Sequence, residues 1–127
     1  MLQHDYILEL IQEFARTVSA ALARARELRD PAAVREVEGA IGGLLELDAD
    51  TAMSLAPQSL VTMMTLAGTG DAVAGYVSYA LEQLAGVMEE MGEDELAELR
   101  HEQADAVAEA FDVSKEEVPE ELRVTME

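Results

Sequence analysis

Residues 5–31, DYILELIQEFARTVSAALARARELRDP, place apolar side chains at Ile7, Ile11, Phe14, Val18, Ala21, Ala25 and Leu28, in steps of 4, 3, 4, 3, 4 and 3. A helix returns to the same face every 3.6 residues, so this alternation draws one continuous apolar seam; a strand, with a period of two, does not produce it. Leu10 and Leu22 widen the stripe. Asp5 stands where a carboxylate accepts from an otherwise unpaired backbone N–H, which predicts a helix from Tyr6 to about Arg29. A seam of this length belongs to a helix lying along a nearly parallel partner helix. Each large member contributes about 1.5–3 kcal/mol on burial, which makes Phe14 a position where a charge is especially damaging.

Working outward, Asp30-Pro31 supplies a cap and a proline at the first helical position, so a second helix starts at once and doubles back on the first. Val34, Val37, Ile41, Leu44 and Leu45 form its stripe, and Gly39, Gly42 and Gly43 are read as points of close backbone contact. Residues 51–70 contain no charge, yet Pro57, Gly68, Gly70 and several hydroxyls break the run too often for a membrane span. The segment reads as a short helix ending before Pro57, then a second one carrying Leu60, Val61, Met63, Met64 and Leu66 and stopped by Gly68. It is expected to form the buried centre of the fold, with exposure as a methionine-rich contact surface as the alternative. Asp71 is placed to cap a helix running to Met91 with Val73, Tyr76, Ala80, Leu81, Leu84, Val87 and Met88 on one face, and Gly92 ends it. The next helix opens on Glu93-Asp94-Glu95, where negative charge suits the exposed N–H groups, and uses Leu96, Leu99, Val107 and Phe111. Ser114 and Glu117 form a possible capping box ahead of Pro119 and an acidic end, so residues 1–112 are read as one domain and 113–127 as a mobile acidic tail.

The chain has 127 residues, enough to bury a core without metals or disulfides, and no cysteine. That removes thiolate nucleophiles and cysteine-ligated metals from consideration. The start, Met1-Leu2-Gln3-His4-Asp5, lacks a basic segment followed by a long apolar one, so a cytoplasmic protein is expected. Eight lysines and arginines face 27 acids, a net charge of −19, unevenly spread. Residues 1–35 hold five arginines and five acids, whereas residues 36–127 hold 22 acids against Arg100, Lys115 and Arg123. Such a surface repels phosphate backbones and anionic lipid and favours a basic protein or peptide, though acidity also serves solubility alone.

Residues 81–107, LEQLAGVMEEMGEDELAELRHEQADAV, resemble one tetratricopeptide-type helical hairpin. Leu81, Leu84, Ala85 and Met88 match its first-helix packing positions, Gly92 its turn, and Ala97, His101 and Ala104 its second-helix positions. The opening His4-Asp5-Tyr6-Ile7-Leu8, with Ile11 and Phe14, is similar to a bacterial family of unknown function with tetratricopeptide-like architecture. The resemblance implies an all-α, tetratricopeptide-like bundle of about three helical hairpins. It also implies a partner-binding groove lined by Tyr79, Glu82, Gly86 and Glu89. That groove is acidic here, which fits a basic or amphipathic peptide or the arginine-bearing segment of a second copy in a homodimer.

Other constellations are thin. Glu98-x-x-His101 has ligand spacing on one helical face, but carboxylate-bridged metal bundles need a second such pair, and His4 has no glutamate three residues before it. A partly buried packing histidine is the plainer reading. Ser54, Ser59 and Ser78 lie in no nucleophile context, and Gly68-Thr69-Gly70 lacks the lysine of a phosphate loop. Tyr76 and Tyr79 are expected to be half-buried. Acids from Glu89 to Asp112 are spread along helices and lack the looped oxygen cage that calcium requires. The sequence therefore predicts a non-enzymatic interaction or adaptor module without cofactor or metal. The rival is a small-molecule or metal-binding helical protein with its site between helices near His101.

Overall fold

The computed structural model describes residues 2–117, with side chains from residue 9 onward. Six helices follow in order: α1 (Leu2–Leu28), α2 (Pro31–Leu45), α3 (Ala49–Ser54), α4 (Pro57–Leu66), α5 (Asp71–Glu90) and α6 (Asp94–Phe111). The described residues contain no strand, so the protein is all-α. The tail after residue 117 lies outside the described residues, while Val113 packs against the core and Lys115 is held by side chains of α5 and α6.

Ile11, Phe14, Val18, Ala21, Leu22 and Ala25 are buried along α1, as their spacing requires. Leu28 departs from the seam at 69% exposed, because it is the last helical residue and Arg29, in a left-handed conformation (φ 51°), turns the chain away. The helix also starts earlier than expected: Asp5 lies inside α1 rather than at its cap. The link Arg29-Asp30 closes the first hairpin, with the Asp30 carboxylate accepting from Ala32 N at 2.9 Å and Pro31 opening α2. Val34, Val37 and Ile41 then face α1 and the core.

Of the three glycines of α2 only Gly42 meets the expected close approach. A Cβ there would lie 2.8 Å from Leu47 O and 3.0 Å from Ala49 Cα, so the missing side chain lets the chain fold back and seat α3 on α2. Gly39 and Gly43 face open space instead. An unanticipated cap, Asp48, starts α3 by accepting from Thr51 N at 3.2 Å.

The uncharged stretch is not the buried centre. Ala52, Met53, Leu60 and Met64 are buried, α3 packing on α2 and α4 on α6. The other side of α4 is open, Met63 being 39% and Leu66 80% exposed, and Thr62 and Thr65 turn their hydroxyls back to Gln58 O and Val61 O. A ten-residue helix has room for one buried stripe against one neighbour, which leaves the rest to solvent.

The centre is α5, which packs on α6 and also touches both helices of the first hairpin. Gly70, not Asp71, is its N-cap residue, and Asp71 is its first helical residue. Tyr76 and Tyr79 are fully buried rather than half-buried, since a helix contacting three others has little free surface; the Tyr76 ring meets Phe14 edge-on at 6.2 Å. Gly92 (φ +81°) makes the turn into α6. Small Ala85, Ala97 and Ala104 are buried in this second hairpin, and Ser78 donates to Ala104 O across it at 3.0 Å. Leu96, expected in the core, is 43% exposed in the first turn of α6, and Arg100 and Gln103 are buried in that helix instead.

Candidate functional site

The buried polar residues have a structural cause. Met53, near the end of α3, would normally receive a bond four residues on, but that residue is Pro57, which has no N–H. Arg100 Nη1 donates to Met53 O at 2.8 Å, and Gln103 Nε2 donates to Met53 O at 3.2 Å and to Leu55 O at 2.9 Å. Arg100 also donates to Gln103 Oε1 at 3.0 Å and pairs with Glu38 of α2 at 3.2 Å. This clamp fixes the elbow between α3 and α4 against α6. Sequence reasoning missed it, although Ala97, Arg100, Ala104 and Val107 share one 3–4–3 stripe and Pro57 announces an orphan carbonyl.

On the outer side of the second hairpin lies a charged cluster. His101 Nδ1 stands 2.7 Å from Glu82 Oε1 and its Nε2 3.1 Å from Glu89 Oε1. Lys115, the chain's single lysine, pairs with Asp105 at 2.5 Å and Glu82 at 3.4 Å. The Glu82 hydrogen bond, aided by Glu89, raises the His101 pKa above its ordinary value despite partial burial. The Asp105 bond likewise raises that of Lys115. Of the four groove residues, Glu82 and Glu89 thus come together on His101. Gly86, one turn from each, is partly exposed, and Tyr79 is buried beside α1, where burial raises its phenol pKa and the Arg26 guanidinium pulls it back. The role of Lys115 was not foreseen; its position as the one cation between residues 101 and 122 was the available signal.

Glu98 faces outward and bonds neither nitrogen of His101, both of which are directed at other carboxylates. Among the described residues no three His, Asp or Glu side chains are arranged to share a metal ion. A groove of about 270 Å³ opens between α1 and α2, lined by residues that include Leu10, Phe14, Thr17 and Leu44, and not beside His101.

Beside the cluster, and including its Asp105, the acids Glu95, Glu98, Glu102, Asp105 and Glu109 recur at steps of 3, 4, 3 and 4 along α6, all exposed. At 1.5 Å per residue they span about 21 Å. Of the five, only Asp105 is in an ion pair among the described residues. Three of the arginines of the first 35 residues are engaged inside the chain: Arg24 with Glu36, Arg26 with Gln83, and Arg29 with Glu90 O at 3.4 Å. Arg16 and Arg35 are exposed and in no ion pair among the described residues.

No family model, no curated protein and no solved structure matches the chain. The fold is that of an all-helical protein with an acidic outer face on α6, and no described helix is long and apolar enough to cross a membrane.

Proposed function

We propose that this protein is a non-enzymatic interaction module that offers the acidic face of the α5–α6 hairpin to a basic segment of a protein partner. The observation that carries the reading is the exposed acidic stripe of α6. Carboxylates held at one spacing on a rigid helix present a directed field, and four of the five have no cation of their own among the described residues. A tetratricopeptide-like arrangement is part of the same proposal, supported by the contact of α5 with both helices of the first hairpin, α1 and α2. Arg16 and Arg35, exposed and in no ion pair among the described residues, allow a second copy to supply the basic segment. Light scattering showing only monomer at micromolar concentration would remove that homodimer option.

The test is a titration of isotope-labelled protein with a short lysine–arginine peptide, followed by amide chemical shifts at physiological salt. Perturbations are expected along Glu95–Glu109 and at Glu82 and Glu89, and Glu98→Lys with Glu102→Lys should abolish them. Shifts spread evenly over every acidic patch, including Glu36, Glu46 and Asp50, would sink the proposal.

A further inference from the structure

A neutral imidazole has one N–H donor and one lone pair, whereas the imidazolium has two donors. His101 directs both ring nitrogens at carboxylate oxygens, Glu82 on one side and Glu89 on the other. Only the protonated ring satisfies both. We propose that His101 is a proton-operated clasp on the acidic face, holding Glu82 and Glu89 while protonated and releasing Glu89 to a basic partner when the proton leaves. The inference rests on the interaction reading for its partner, but not for the clasp itself.

The asymmetry of the two contacts decides which carboxylate is freed. Glu82 makes the shorter bond and is only 20% exposed, and Lys115, at 3.4 Å from it, is held closer by Asp105 and does not replace the ring donor. Glu89 makes the longer bond and is 56% exposed. Leaving a sheltered carboxylate without its donor costs more than leaving a solvated one. The last ring proton therefore stays on Nδ1, facing Glu82, and the Nε2 lone pair then repels Glu89 into solvent. Among the described residues the surrounding charges supply no alternative donor to Glu89. On α5 the groups at the ring nitrogens are Glu82 and Glu89; the charged neighbours of His101 within about one turn on α6 are Glu98, Arg100, Glu102 and Asp105, with Arg100 turned to Glu38; the segment after α6 brings Lys115, already engaged by Glu82 and Asp105. α4, the other helix packed along α6, carries no charge, and Glu38 of α2 is taken by Arg100. Arg26 and Arg29 are bonded to Gln83 and Glu90 O.

The experiment uses the full chain with His4→Gln, so that His101 gives the single imidazole signal in ¹⁵N and ¹³C spectra across pH 5.5 to 9. His101 is expected to titrate above its free value and to emerge as the Nδ1–H tautomer, the minor one in free imidazole, and Glu89→Gln should lower its midpoint. In parallel, a dye-labelled octa-arginine peptide, whose charge is constant over this range, is titrated by fluorescence anisotropy. Its affinity should rise about two- to fivefold as the clasp opens, the range of one added exposed ion pair, and His101→Gln should bind with no such pH dependence. Ordinary titration with an Nε2–H tautomer overturns the clasp whatever the peptide does. Peptide binding that is equal at both pH extremes overturns its control of the partner while leaving the interaction reading intact. No binding at any pH, in either variant, overturns the interaction reading and with it that control.

Discussion

Arg100 and Gln103 show how one missing backbone proton is answered elsewhere in the chain. Replacing Gln103 by Leu orphans Leu55 O, while Met53 O keeps the Arg100 donor; the expected loss is about 1–3 kcal/mol of unfolding free energy. Arg100→Met strips the partly buried Glu38 of its cation and should cost more, about 3 kcal/mol. Urea denaturation of both variants checks the order. His101 bears on stability through its proton. Its pKa is raised on folding, so its contribution is complete below the unfolded value near 6.5 and disappears as pH rises through the folded value. Thermal melts of wild type and His101→Ala should therefore differ at pH 5.5 and converge toward pH 9.

At the scale of the helices, the three glycines of α2 separate by what lies opposite them. Gly42→Ala drives a methyl group into the backbone at Leu47 and Ala49, and about 1–3 kcal/mol of destabilisation is expected. Gly39→Ala adds a methyl in open space and removes a flexible residue from a helix interior, so it should stabilise by roughly 0.5–1 kcal/mol. Opposite shifts in melting temperature are the check, and equal shifts would show that α3 does not depend on the close approach. Boundaries marked by proline or by a left-handed glycine, at Pro31, Pro57, Gly68 and Gly92, were readable beforehand because each acts through its own backbone. The start of α1 was misplaced, since an aspartate within a helix and one at its cap are the same letter.

The whole molecule carries 19 net negative charges with histidine neutral, and its three ion-paired lysines and arginines among the described residues, Arg24, Arg100 and Lys115, leave most acids uncompensated. Screening that self-repulsion should raise the melting temperature by roughly 3–6 °C between about 10 and 150 mM salt. A fall over this range would mean that the internal ion pairs outweigh the repulsion. The sequence by itself determined that the chain is helical, where its hairpins turn and that its acidity follows residue 35, because periodicity, turn chemistry and charge are local properties. Only the tertiary structure decided that Arg100 and Gln103 are buried, that one side of α4 stays open and that His101 meets Glu82, Glu89 and, through Glu82, Lys115. Those outcomes depend on which helix lies opposite, and a stripe of side chains carries no record of its neighbour.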